Sequence, residues 1–118
     1  MEVKYLIFRG GKNVKFKIMK RKRIYISIPI SGHDLEKVKE KARKAKIWVS
    51  HWYDAITPFD VCPEPDKPYS YYMGKDIEAL LECDAIYLCG GWQNSKGCMA
   101  EFEVARIYGK EIMFEKQW

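Results

Sequence analysis

The chain has 118 residues, 47% of them hydrophobic and 31% charged, which is enough for one globular domain with its own core. This composition excludes a disordered or collagen-like chain, and no apolar run approaches the ~20 residues that span a bilayer. Net charge is +5, yet residues 1–23 hold nine Lys or Arg against one Glu, so the remainder is mildly acidic. We expect a cytoplasmic protein without a secretory signal or membrane contact. The terminal position of the basic residues argues against nucleic-acid binding.

The basic N-terminal segment has the pattern of a β-hairpin. Residues 2–18 form two apolar or alternating runs around Gly10–Asn13, whose residues suit a tight turn. We therefore divide the chain into a basic hairpin extension, residues 1–22, and an α/β domain, residues 23–118.

The second part of the chain alternates predicted strands and helices. In chain order these are a strand at 24–30, a helix at 31–46 capped by Ser31 or Asp34, a strand at 46–50, a helix at 71–83, a strand at 84–91, a helix at 95–110 and a strand at 111–114. Such alternation predicts right-handed crossovers and a doubly wound parallel sheet with helices on both faces. In these sheets ligands bind beyond the carboxyl ends of the strands, where the strand order reverses.

Residues 51–70 are predicted to form a long loop, since they contain four of the five prolines. Two interpretations of this loop remain open. Its aromatic residues either wall a substrate site or hold the loop down. The side chains in question are His51, Trp52, Tyr53, Tyr69, Tyr71 and Tyr72.

Four cysteines and two histidines raise the possibility of a metal or redox site. Their spacing matches neither a zinc knuckle nor a Cys-x-x-Cys motif. Cys83 and Cys89 accompany an apolar strand pattern, where a thiol acts as a small hydrophobe. The sequence predicts structural thiols, no metal and no cofactor.

Three side chains are candidates for chemistry at the ligand edge of the sheet: Tyr25, Asp76 and Glu101. Each has an ordinary structural explanation, as a buried aromatic or as a carboxylate that complements a helix N-terminus. Together, two carboxylates and a phenol suit nucleophilic attack at an anomeric carbon, where one carboxylate attacks and the other assists the departing base. The phenol is expected to orient the nucleophile and keep it ionised.

The segments IYISIPISG (24–32) and DIEALLECDAIYLCGGWQNSKGCMAEFEVARIYGKEI (76–112) resemble the nucleoside 2-deoxyribosyltransferase superfamily, in particular a small phage and bacterial branch of unknown function. The resemblance covers residues 24–114. It implies that Glu101 is the nucleophile, that Tyr25 orients it, and that Asp76 assists at the base or sugar. Ser95 corresponds to a serine that contacts the phosphate in a related nucleotide glycosidase. Substrate contacts are expected from Ser27, Ser31, Gly32, Gly91, Trp92, Ser95 and Gly97.

One position departs from the family pattern. Ile28 stands where the family has a glycine, and we expect its branched side chain to narrow or reroute the substrate pocket.

Two functions follow from the resemblance. The first is an enzyme, a deoxyribosyltransferase or a deoxynucleoside monophosphate N-glycosidase, that acts on a nucleoside or nucleotide. The alternative is a protein that binds or sequesters a nucleotide without turning it over. In both cases we expect a homodimer or a larger homo-oligomer.

Overall fold

A computed structural model describes residues 2–9 and 12–116, with side chains from residue 21 onward. It contains two sheets. In the first, β1 (Glu2–Arg9) and β2 (Lys12–Lys20) pair antiparallel, which confirms the predicted hairpin. The predicted turn residues Gly10 and Gly11 lie outside the described residues.

The second sheet has four parallel strands: β3 (Arg23–Ser27), β4 (Asp54–Ile56), β5 (Ala85–Leu88) and β6 (Glu111–Phe114). Their order is β4-β3-β5-β6. Within this sheet the chain runs first through β3, then through β4 on one side of β3, and then crosses to β5 on the other side of β3. The strand order therefore reverses between β3 and β5, and the doubly wound α/β fold is confirmed. Ligands of such sheets bind beyond the carboxyl ends of these two strands.

Helices cover both faces of this sheet. α1 (Leu35–Val49) packs on one face, and α3 (Tyr69–Leu81) and α4 (Lys96–Ile107) pack on the other. A short α2 (Pro58–Val61) precedes α3, and a 3₁₀ turn at Trp92–Asn94 precedes α4. Among these residues no helix has the length and apolar character to cross a bilayer.

Strand alternation assigns each residue of β3 to one of the two faces. Ile24 and Ile26 belong to the core under α1, whereas Tyr25 belongs to the core under α3 and α4. Successive side chains of a strand point to opposite faces, so Ser27 shares the face of Tyr25. This alternation brings two polar side chains of β3 next to α4.

The predicted strand at 46–50 is wrong, because α1 continues to Val49 and the second strand is β4. The buried residues of α1 are Val38, Ala42, Ala45 and Val49, which recur every three or four positions. Val49 is therefore in phase with the helix, and its burial against the sheet extends the helix by one turn.

The predicted loop at 51–70 is also wrong in part. It contains β4, α2 and the start of α3. α2 begins at Pro58 behind a capping box, in which the Thr57 hydroxyl accepts from the Asp60 backbone N–H and the Asp60 carboxylate accepts from the Thr57 N–H. The cysteines Cys62, Cys83, Cys89 and Cys98 are all buried thiols.

Candidate active site

α4 carries Glu101 on the face that the helix buries. Ser95 caps the helix, with its hydroxyl accepting from the Cys98 backbone N–H at 3.2 Å. The buried residues of α4 are Cys98, Glu101 and Ala105, so a carboxylate occupies the centre of the stripe that packs on the sheet. Glu101 is 4% exposed. A carboxylate that merely complemented the helix N-terminus would lie in solvent, so this ordinary explanation does not account for Glu101.

Both oxygens of the Glu101 carboxylate accept a hydrogen bond from β3. The Tyr25 hydroxyl donates to Oε2 at 2.7 Å, and the Ser27 hydroxyl donates to Oε1 at 2.7 Å. These are short bonds of the kind that charged acceptors make. The predicted contact between Tyr25 and Glu101 is therefore present. Ser27, expected to contact substrate, is fully buried, and its hydroxyl donates a hydrogen bond to Glu101.

Asp76 is the second buried carboxylate on this side of the sheet. It lies on the inner face of α3 and is 7% exposed. Its Oδ1 is buried and finds no hydrogen-bond partner within the described part of the chain. A buried, unpartnered carboxylate oxygen is costly, so it marks a place where a ligand hydroxyl or a bound proton would be stabilising.

The protonation of the two carboxyl groups follows from their burial. Burial raises the pKa of Glu101 to about 7, repulsion from Asp76 adds to this, and the Ser27 and Tyr25 hydroxyls act in the lowering direction. Burial likewise raises the pKa of Asp76 to about 6, against a lowering contribution from the Tyr25 hydroxyl. The Tyr25 hydrogen bond acts in the expected direction, since it lowers the pKa of Glu101, but burial raises that pKa by more.

Tyr25 itself remains a hydrogen-bond donor. Burial, followed by the charges of Glu101 and Asp76, raises its pKa well above the usual value. Its phenol therefore keeps its proton throughout the range in which the carboxyl groups titrate.

Two side chains at the start of α3 lie close to the first turn of α4. They are Met73, which no sequence motif indicated, and Tyr69, one of the aromatic residues of the predicted loop. A Cβ placed on Gly97 would lie 3.4 Å from the Tyr69 hydroxyl and 3.6 Å from the Met73 sulfur. Gly97 thus lets the first turns of α3 and α4 approach each other. The signal was present in the sequence, since Tyr69, Met73 and Asp76 recur at helical spacing and share one face of α3.

The other predicted substrate positions are spread around this edge of the sheet. Ser31 and Gly32 lie in an exposed turn before α1. Gly91 has a φ of 87°, which favours glycine, and is the residue immediately before the 3₁₀ turn. Trp92 packs its ring on Phe102 and Phe114, with centroid distances of 4.9 and 5.7 Å.

Ile28 does not face the carboxylates. Its side chain is 5% exposed and belongs to the core under α1, on the opposite face of the sheet from Glu101. The expectation that it narrows the substrate pocket is wrong, because strand alternation turns it away.

The aromatic residues of the 51–70 segment separate in the fold. Tyr53 donates to Glu111. His51 and Trp52 pack against each other and Trp48 near the end of α1. Tyr72 packs edge-on against Tyr71, and its hydroxyl donates to the Glu64 carbonyl at 2.7 Å. Tyr71 and Tyr72 therefore hold their own segment in place, whereas Tyr69 approaches Gly97.

A groove of about 860 Å³ lies on the other face of the sheet, next to α1. Trp48, Trp52, Tyr87 and Met113 line it, and Glu101 does not. The groove and the carboxylate pair are therefore separate features.

Comparison with known proteins supports the fold. Residues 22–114 match the sequence model of DUF4406, described as a domain of unknown function. No curated protein matches the chain. A solved structure, the 2-desoxiribosyltransferase from Leishmania mexicana, is similar with a TM-score of 0.60 and 20% identity, over 79% of this chain and 63% of that chain. The chain thus spans less than two thirds of that protein, and at this identity the likeness establishes the fold.

Proposed function

The chain belongs to the DUF4406 family, and we propose that it cleaves or transfers the N-glycosidic bond of a nucleoside or nucleotide, with Glu101 as the nucleophile. The observation that carries this proposal is the buried carboxylate of Glu101, held by the Tyr25 and Ser27 hydroxyls. Burying a carboxyl group whose pKa rises to about 7 costs stability, and no cation pairs with it in the described structure. Such a group is typical of an active site.

The chemistry would proceed in two displacements. An oxygen of the Glu101 carboxylate attacks the anomeric carbon, and the electron pair of the C–N bond leaves with the base, which takes up a proton. In the second step water or another base attacks the same carbon and loses a proton to the Asp76 carboxylate or to solvent, while the electron pair of the ester C–O bond returns to Glu101. The transition states resemble an oxocarbenium ion, which a nearby carboxylate stabilises.

Asp76 would act on the substrate from the side of α3. Its unpartnered Oδ1 can accept a hydrogen bond from a sugar hydroxyl. Because burial raises the pKa of Asp76 to about 6, its protonated form can instead deliver a proton to the departing base. The pH dependence of base release separates these roles, since proton delivery requires the acid form of Asp76.

The fold supports the same substrate class. A protein named as a desoxiribosyltransferase has this architecture. Both carboxylates lie on the face of the sheet that α3 and α4 cover, and the strand order of this sheet reverses between β3 and β5. We also propose membership of the small phage and bacterial branch, and assembly as a homodimer or larger homo-oligomer.

The test is base release from a panel of deoxynucleosides and their monophosphates, followed by chromatography. Glu101→Gln should lower the rate by at least about 10³-fold, because the nucleophile is lost. Glu103→Gln, on the exposed side of the same helix, is the matched control and should retain the wild-type rate. Acid-quenched wild-type protein should carry the mass of one glycosyl group, and the Glu101→Gln variant should not.

Two outcomes would contradict the proposal. If Glu101→Gln released base at the wild-type rate, Glu101 would not be the nucleophile. If the wild type bound nucleotides without releasing base, the protein would be a nucleotide-binding protein on the same scaffold. Adding a second free base to an active reaction then distinguishes transfer from hydrolysis.

A further inference from the structure

Ser27 occupies the carboxyl end of the central strand β3, at the edge where ligands of this fold bind. Its side chain is nonetheless fully buried. The hydroxyl proton is committed to Oε1 of Glu101 at 2.7 Å. A serine in this place therefore interacts with the candidate nucleophile, 74 positions along the chain, and not with solvent.

Two donors on one strand restrict the carboxylate more than one donor could. A carboxylate held at a single oxygen can still rotate about its Cγ–Cδ bond. Tyr25 and Ser27 lie two residues apart on the same face of β3, and each reaches a different oxygen of Glu101. Because the strand is a rigid support, the two contacts set the plane of the carboxylate.

We propose that Ser27 is a positioning residue, which together with Tyr25 orients the Glu101 carboxylate and favours its charged form before a substrate arrives. The predicted effect on the reaction rate rests on the proposed function, whereas the predicted effect on the titration of Glu101 does not. The titratable groups that face Glu101 are Tyr25 from β3, Asp76 from α3 and Cys98 from its own helix. Cys98 is a buried thiol whose pKa burial raises, so it is uncharged where Glu101 titrates.

The proposal predicts a change in the titration of Glu101. Burial and Asp76 raise the pKa of Glu101, and the hydroxyl bonds oppose them. Because a hydrogen bond to a carboxylate stabilises its charged form, losing one should raise the pKa of Glu101 by about one to two units. Ser27→Ala should therefore move the titration of Glu101 upward by that amount. Ser27→Thr keeps the hydroxyl on a residue suited to a strand and should restore the wild-type midpoint.

The direct measurement is the carboxyl ¹³C NMR titration of protein labelled at glutamate, with Glu101 assigned by its absence in Glu101→Gln. Thr57→Ala is the matched control, because it removes another buried hydroxyl, one that caps α2. It should leave the Glu101 midpoint unchanged. Ser27→Cys, with a thiol as a weak donor, provides a second variant of similar size if the Ala variant does not fold, and its midpoint should also rise.

The kinetic measurement uses the same variants. In Ser27→Ala the acid limb of the kcat/KM profile should move to higher pH by the same one to two units or so, with KM within about twofold. An unchanged Glu101 midpoint in both the Ala and Cys variants would overturn the proposal. If the midpoint rises but the wild type releases no base from any substrate, the role of Ser27 in charging Glu101 stands and the proposed function fails.

Discussion

Replacing Glu101 with Gln should make the protein more stable at neutral and alkaline pH, and the gain should disappear in acid. The side chain is buried, and burial raises its pKa from the usual 4.5 to about 7. Between these two values the folded protein binds more protons than the unfolded chain, so stability falls as the pH rises. Glutamine has nearly the shape of the protonated acid and does not titrate.

The size of the effect follows from the two pKa values. A folded-state pKa of about 7 against 4.5 corresponds to about 3 kcal/mol lost from the wild type once Glu101 is fully ionised. From about pH 5 to about pH 8, the part of this loss that falls within the range is about 2.5 kcal/mol. Asp76, whose pKa burial raises to about 6, contributes with the same sign in both proteins. Because its charge repels that of Glu101, the difference between the two proteins reports Glu101 together with this repulsion.

Urea unfolding followed by circular dichroism at several pH values and constant ionic strength measures this difference. Glu103→Gln is the matched control, because the Arg106 hydrogen bond lowers the pKa of the exposed Glu103. That carboxylate stabilises the protein above its unfolded-state pKa and loses the contribution in acid, which is the opposite sign. A difference between wild type and Glu101→Gln that stays constant from about pH 5 to about pH 8 would refute the assignment of a buried, destabilised carboxylate.

Three further predictions concern the rest of the fold. Ile28→Gly should lower the free energy of unfolding by about 3 kcal/mol or more, and Ile28→Val by about 1 kcal/mol, because the side chain packs under α1. Neither variant should change the rate of base release, and faster release by the Gly variant would show that Ile28 limits access to the active site. Deleting residues 1–22 should leave a folded α/β domain by circular dichroism, since β1 and β2 form a sheet of their own; an unfolded product would assign the hairpin to the core. Light scattering should give a mass above the 13.9 kDa of one chain, and a value of 13.9 kDa across the micromolar range would exclude the proposed homo-oligomer.

Local sequence pattern was sufficient for most of the architecture. The strands β3, β5 and β6 are short apolar runs bounded by turn residues, and the helices α3 and α4 have apolar residues at helical spacing. These signals come from residues that are close together in the sequence, so they can be recognised without knowledge of the fold. The pairing of Tyr25 with Glu101 was also predicted, from a resemblance in motif and from the rule that strand ends share one edge.

The boundary between α1 and β4 needed the tertiary structure. The run from Lys46 to Ser50 is short and apolar, and periodicity alone does not distinguish a strand from the last turn of a helix. Burial of Val49 in phase with Ala45 decided it. The face that Ile28 occupies was likewise undecided, because alternation defines two faces without saying which helix covers each.

The chemistry of the carboxylates depended on the fold most of all. Ser27 looks like a substrate contact in the sequence, yet its hydroxyl is used by a residue 74 positions away. The pKa of Glu101 rises because α4 buries it against β3 and because α3 brings Asp76 near, and both causes are properties of the packed structure. Composition and spacing can select residue types that suit a reaction. Desolvation and hydrogen-bond partners come from distant parts of the chain, so only the folded structure determines which oxygen is held, which remains unpartnered and which carries a proton.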